Sequence, residues 1–332
     1  MHTSAEFHTT KGELTAAIDR LCGFFAEHGQ TDLLLRPHAI GEKLAAERFN
    51  LVVLGQFKRG KSTLINALLG ADLLPTAVVP LTSIVTVMHA GPQPHASISF
   101  LDGRRRAVEV TDLAAYITER DNPNNGKGVA RAEVSFPSAF LGDGVCLVDT
   151  PGVGSIFANN TGTTFDYLPE ADAAIFLLAA DQPISQAELE CLHAARRYAP
   201  RFFFVQNKID YLDPGELKES LEFSTRMLSE PLESPVTIYP VSARSALLAR
   251  LRGDPARLEE SGLPELERAL SEFLLREKGA TLLASVRSRL RALVSEAFDS
   301  IALQQSVIAM PAQVLAERIE SFRKQAAEIM QQ

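Results

Sequence analysis

Hydrophobic positions change their period twice along the chain. Leu14, Ile18, Leu21 and Phe25 recur at helical spacing within residues 11–48. Gly29 ends that stretch, and a second helix is predicted to begin after Pro37. From Asn50 the pattern becomes that of strands. Leu51-Val52-Val53-Leu54 is wholly apolar, as expected of a strand buried on both faces, and a glycine-rich turn and a helix-like stretch at 62–69 follow it. Further strands are predicted at 84–89, 97–101, 107–110, 132–136, 145–148, 174–178, 202–205 and 237–240. Asp102-Gly103 supplies a hairpin turn between 97–101 and 107–110. Helices at 185–198 and 214–228 separate the later strands.

Buried strands alternating with helices predict an α/β fold, and the hairpin makes its mostly parallel sheet a mixed one. After Gly253 the pattern is helical again. Pro264 stands at a helix start, with Leu266, Leu270, Phe273 and Leu274 on one face. A longer stripe runs through Leu282, Val286, Leu290, Val294, Ala297 and Ile301, and after Pro311 another runs from Leu315 to Ile329. No cap or glycine stop precedes Gln332, so the chain is expected to break off inside a helix. The division predicted is a helical segment at 1–48, an α/β domain at 49–252 and a second helical segment at 253–332.

Composition narrows the function. The 332 residues carry a net charge of −8, which speaks against a protein that coats nucleic acid through a basic face. Cys22, Cys146 and Cys191 lie far apart among apolar neighbours, with no ligand-spaced pair, so reduced core thiols are expected and zinc or dithiol chemistry is not. The longest apolar run, 173–180, is less than half of a bilayer span, and the start lacks the pattern of a secretory signal. A cytoplasmic protein is expected, its membrane contact, if any, peripheral at the inner face of the cell membrane.

Gly55-Gln56-Phe57-Lys58-Arg59-Gly60-Lys61-Ser62 matches GxxxxGK[ST] between a predicted strand and a predicted helix. Backbone N–H groups from Gly55 through Thr63 would cradle phosphate oxygens at a helix N-terminus. Lys61 would reach the β- and γ-phosphates, and the Ser62 hydroxyl is a hard ligand for Mg²⁺. Asp149-Thr150-Pro151-Gly152 follows another strand; Asp149 would hold Mg²⁺ through water, and the Gly152 N–H would meet the γ-phosphate. Thr76, Thr82 and Thr86 are candidates for a second Mg²⁺ ligand, and Thr82, just before a strand, is preferred.

Asn207-Lys208-Ile209-Asp210 ends the strand at 202–205 and addresses the base. The Asp210 carboxylate can accept both guanine N1–H and N2–H, whereas adenine would leave it facing an acceptor. Asn207 is expected at the O6 edge and the Lys208 stem along the base face. Val241-Ser242-Ala243 resembles the fifth GTPase motif, with Ser242 and Ala243 supporting the base. GTP and GDP are therefore the nucleotides expected. Val153 stands where small GTPases carry the glutamine that orients water, so slow turnover is expected of the isolated domain. Lys58, and beside it Arg59, are candidates for stabilising charge in the transition state.

The series GQFKRGKSTLINALLG, LLPTAVVPLTSIVT, DTPGVGS and QNKID resembles the bacterial dynamin-like proteins, relatives of the mitofusins, over about residues 45–250. The resemblance implies a large Mg²⁺-dependent GTPase that dimerises through its nucleotide face and couples hydrolysis to membrane remodelling, fusion or fission. It also implies that the flanking helices form a neck, that Thr82 belongs to the first switch, and that a membrane or a partner dynamin-like protein is engaged. Eukaryotic dynamins have Gln-Ser at Phe57-Lys58, and guanylate-binding proteins have arginine at the Lys58 position. Residues 280–332 are too few for the family's long stalk and lipid-binding tip. Two other roles share the motifs and stay open: a ribosome- or RNA-associated regulatory GTPase, and a GTP-gated interaction module with negligible turnover.

Overall fold

Alternate side chains of the central strands enter two different cores. In the computed structural model, which describes residues 4–28, 31–76, 83–153 and 158–308, β1 (Phe49–Leu54) is buried at all six positions. Leu51 and Val53 face one core, Val52 and Leu54 the other. The same alternation divides β7 (Ala173–Ala179), with Ile175 and Leu177 on one side and Phe176 and Leu178 on the other. A strand loaded on both faces is stable only between two helical layers. Each such side chain contributes about 1.5–3 kcal/mol on full burial.

The first core lies under α3 (Lys61–Leu69), α4 (Ala114–Ile117), α8 (Ala243–Arg252), α10 (Leu263–Arg276) and α11 (Lys278–Ile308). The second lies under α6 (Gln186–Ala195) and α7 (Pro214–Leu232), with α5 (Ala158–Tyr167) on the same face. The remaining elements are α1 (Ser4–Glu27), α2 (Thr31–Ala45), α9 (Pro255–Glu260), β2 (Thr86–Ala90), β3 (His95–Phe100), β4 (Arg105–Val108), β5 (Val129–Phe136), β6 (Val145–Asp149), β8 (Phe202–Asn207) and β9 (Ile238–Val241).

The strands form one nine-stranded sheet in the order β4-β3-β5-β2-β6-β1-β7-β8-β9. β6, β1, β7, β8 and β9 run parallel, so their carboxyl ends share one edge. β3 is antiparallel to β4, through the expected Asp102-Gly103 hairpin, and antiparallel to β5 on its other side. The sheet is mixed at a second place that periodicity did not indicate: β2 is antiparallel to β6, setting Thr86 opposite Asp149.

Pro37 does not precede α2 but lies buried inside it, and the helix begins at Thr31. The ring removes one helical hydrogen bond; packing of α2 against α1 and α11 outweighs that loss. Leu21 and Phe25 of α1 meet Leu293 and Ala297 of α11, so helices from both ends of the chain pack together. The stripe from Leu315 to Ile329 lies outside the described residues.

One buried carboxylate ties these helices to the sheet. Asp172 receives Lys43 of α2 at 2.6 Å, Arg289 of α11 at 2.8 Å and the Asn50 N–H of β1 at 2.8 Å, and Ser285 of α11 also donates to it. Burial holds the Lys43 ammonium below its ordinary range despite the opposing pull of Asp172.

Candidate functional site

The carboxyl ends of β1, β6, β8 and β9 bring Gly55, Asp149, Asn207 and Ser242 to one side of the sheet. Open α/β sheets place ligands at that edge. The loop after β1 closes tightly. Gly60 has φ +93°, and a Cβ there would meet the Asn207 amide nitrogen at 2.4 Å, so the spelling of the loop is dictated by space as well as conformation.

Lys61 opens α3 with 8 % of its surface exposed. Its ammonium folds back to donate to the Gly55 carbonyl at 3.1 Å and the Gln56 carbonyl at 3.3 Å. Burial pushes its pKa down, against the nearby Asp149 carboxylate. Hydrogen-bonded to two neutral carbonyls, the ammonium is available to a stronger anionic partner. Next in the chain, the Ser62 hydroxyl donates to Asp149 Oδ2 at 2.7 Å.

The Asp149–Gly152 turn is bound to the same loop. Thr150 donates to the Val53 carbonyl at 2.8 Å, and Thr164 of α5 donates to the Pro151 carbonyl at 2.6 Å. Val153 and Gln56 form a short parallel bridge, with the Phe57 N–H donating to the Val153 carbonyl at 3.3 Å. A Cβ at Gly152 would lie 2.6 Å from the Phe57 N and Cα atoms, so this approach requires glycine. The Val153 side chain is fully buried in the second core.

The base motif sits at the end of β8. Asn207 Nδ2 donates to the Arg59 carbonyl at 2.8 Å, and its Oδ1 accepts from the Ala243 N–H at 3.0 Å. Both ends of the amide are engaged, so Asn207 braces the glycine loop against the start of α8. Lys208, at φ +66°, lays its ammonium against Asp181 and over the Tyr211 ring. Asp210, in a short turn at Ile209–Tyr211, is exposed. Ser242 caps α8 by accepting from the Ser245 N–H at 3.2 Å.

Three loop positions separate by environment. Thr63 is half-buried in the first turn of α3. Lys58 is exposed at the crest of the loop, at φ +65°, with its ammonium 5.3 Å from the centre of the Phe57 ring. Arg59 turns the other way. Only 1 % of its surface is exposed, and its guanidinium is bound by the Glu188 carboxylate below the loop. It does not face the space above the glycine loop, where a transition-state charge would develop.

Thr82 lies outside the described residues. Of the other two threonines, Thr76 is exposed and Thr86 is fully buried within β2. Sequence reasoning passed over Asn66. Its side chain is fully buried and accepts from the Leu73 and Leu74 N–H groups at 3.2 and 2.9 Å, while donating to the Leu74 carbonyl and to Asp72. It therefore fixes the chain that leads towards 77–82. It also passed over Glu188 and Asp181. The Ser185-x-x-Glu188 box signalled a helix start, but not that Glu188 would also bind Arg59.

Among the described residues, no group of three or more His, Cys, Asp or Glu side chains is arranged to hold a metal. Mg²⁺ takes six hard oxygens at about 2.0–2.1 Å and keeps several from water and substrate phosphates. The Ser62 hydroxyl suits one position of such a shell, and the Asp149 carboxylate, 2.7 Å from it, suits the partner of a neighbouring shell water. No described helix is long and apolar enough to cross a membrane.

The family model described as "Dynamin family" matches residues 51–209. An uncharacterised protein from the xynA 3′ region of Caldicellulosiruptor sp. (strain Rt8B.4) is 38 % identical over 292 residues, covering 86 % of this chain and 71 % of that protein. The bacterial dynamin-like protein of Nostoc punctiforme is 28 % identical over 310 residues, 82 % of this chain and 43 % of its own length. In fold, the chain is similar to a solved oligomerised bacterial dynamin pair described as sensing and tethering membranes over long range. The TM-score is 0.58 at 21 % identity, covering 96 % of this chain and 52 % of that one. The chain thus spans about half the length of these two dynamin relatives. With those motifs on that sheet, the chain belongs to the dynamin family of large GTPases, as a bacterial dynamin-like protein.

Proposed function

We propose that this protein is a Mg²⁺-dependent GTP hydrolase whose G domain, 49–252, dimerises through its nucleotide face and drives membrane remodelling through a neck formed by 1–48 and 253–332. The carrying observation is the Ser62–Asp149 hydrogen bond beside the sequestered Lys61 ammonium. A cation ligand pair and a phosphate-seeking charge meet at the mouth of one glycine loop.

In this reading the amides from Gly55 through Thr63 and the Lys61 ammonium hold the phosphates. Ser62 and Asp149, joined by Thr82, hold Mg²⁺, which when bound neutralises charge on the β- and γ-phosphates. Water attacks the γ-phosphorus in line, the bond to the β–γ bridging oxygen breaks, and GDP and inorganic phosphate leave with the water's proton on phosphate. The Gly152 N–H and Lys58 meet charge on the transferred group. Asp210 accepts the guanine N–H groups, while Lys208, Ser242, Ala243 and the Asn207 brace shape the base end.

Self-association is supported by the similar solved protein being an oligomerised pair, and a membrane role by its description as tethering membranes. A peripheral membrane contact at the inner face, or a partner dynamin-like protein, completes the reading.

Phosphate release from GTP, ATP and XTP, with Mg²⁺ or with a chelator, tests the chemistry. Turnover should require GTP and Mg²⁺ and should vanish in Lys61→Ala. Equal turnover of ATP, or an unimpaired Lys61→Ala, would contradict it.

A further inference from the structure

The connection between β7 and α6 touches both halves of the site. At its start, both Asp181 carboxylate oxygens lie within 3.3 Å of the Lys208 ammonium. Just beyond it, in the first turn of α6, Glu188 accepts from Arg59 Nε at 2.8 Å and Nη2 at 2.7 Å. Between them, the Gln182 side chain accepts from Arg59 Nη1 at 3.2 Å, and the Pro183 carbonyl accepts from Nη2 at 3.0 Å. Four residues of the segment 181–188 thus bind the loop that carries Lys61 and the motif that carries Asp210.

The Arg59–Glu188 pair has an uncommon setting. Both side chains are essentially buried, at 1 % and 0 % exposure. Taking two charges out of water costs about what their attraction returns, so such a pair adds little stability over apolar side chains of similar shape. It supplies geometry instead, because the guanidinium fork fits a carboxylate in one orientation. Glu188 is itself fixed, accepting from the N–H and hydroxyl of Ser185, the N-terminal cap of α6, in a capping box. Arg59 also stands between two positive-φ residues, Lys58 at +65° and Gly60 at +93°. Left-handed residues at such spacing turn N–H groups into an anion-binding concavity, at a backbone cost that surrounding structure must hold in place. The anchored arginine is that hold.

We infer that residues 181–188 are a positioning strap that preorganises the phosphate loop and the base-motif lysine together, with Arg59 as its anchor and not a phosphate ligand. The inference rests on the nucleotide-site reading above. Without the strap the loop would be ordered only as nucleotide binds, at the expense of affinity.

The test compares wild type with two variants by binding of fluorescent GDP, steady-state GTP turnover and thermal unfolding. Arg59→Met with Glu188→Gln removes both charges and leaves the amide oxygen free to accept from Ser185. Asp181→Asn loosens the partly exposed end without touching the core. The double variant should keep its fold while Kd and KM rise at least about tenfold, with kcat changed far less. Asp181→Asn should raise both about threefold at unchanged Tm. If the double variant fails to fold, Asp181→Asn decides. Unchanged nucleotide affinity in Asp181→Asn, or a lower Tm with unchanged affinity in the double variant, would overturn the strap. A wild-type chain that binds no guanine nucleotide would instead sink the reading of the site itself.

Discussion

Ser62 of α3 donates to Asp149 of β6 at 2.7 Å, so a helix start and a strand end present a hydroxyl and a carboxylate to one point. Removing the hydroxyl should leave the fold intact, because Ser62 is only half-buried in the first turn of its helix. Ser62→Ala is expected to weaken Mg²⁺-dependent GTP binding by at least about tenfold, the worth of one charge-assisted contact. Titrating fluorescent GTP with and without Mg²⁺ checks it; equal loss in both conditions would place the hydroxyl outside the cation shell.

Asp210 is exposed beside Lys208, where a planar base can approach it. Asp210→Asn turns one acceptor into a donor and should move preference from GTP towards XTP by at least about tenfold. Competition binding with the two nucleotides measures the ratio, and retained guanine preference would contradict the assignment.

Lys58 combines an exposed cation with a left-handed backbone. Glycine relieves that conformation, so Lys58→Gly should leave stability within about 1 kcal/mol while removing the charge. Turnover should fall at least about tenfold with GDP affinity within about twofold of wild type. Undiminished turnover would remove Lys58 from the transition state.

Asp172 joins α2, α11 and β1 through Lys43, Arg289 and the Asn50 amide. Asp172→Ala leaves two buried cations without their carboxylate and should cost about 3–5 kcal/mol. Denaturant unfolding checks the magnitude; a change under about 1 kcal/mol would mean the helices are held by apolar packing alone.

Cys191 is fully buried, and burial pushes its thiol from 9.0 up to about 12. A raised folded pKa contributes stability that is complete below the unfolded pKa and is lost as pH rises through the folded one. Between pH 9 and 11 wild type should therefore lose about 2–3 kcal/mol relative to Cys191→Ala. A pH-independent difference between the two would show that the thiol titrates normally in the fold.

Much of this architecture was legible because the central strands are apolar on both faces, so β1 and β7 stand out without any alternation. The glycine loop was legible for a related reason: Gly60 and Gly152 have no room for a Cβ. Side-chain direction was not. The variable positions of the loop have the same spelling whether they face ligand or core, and only the fold puts Glu188 beneath Arg59 and Lys58 in solvent. The Asn207 amide is likewise used by two backbone groups distant in sequence. Local propensity favours a helix boundary at Pro37, and helix packing overrides it.

In the function proposed above, pairing of G domains drives hydrolysis. GTP turnover per molecule should be measured across a protein concentration series, with mass determined in parallel in GDP and in a non-hydrolysable GTP analogue. Specific activity should rise with concentration, with dimers forming in the analogue and not in GDP. Flat turnover by a chain that stays monomeric in both nucleotides would contradict it.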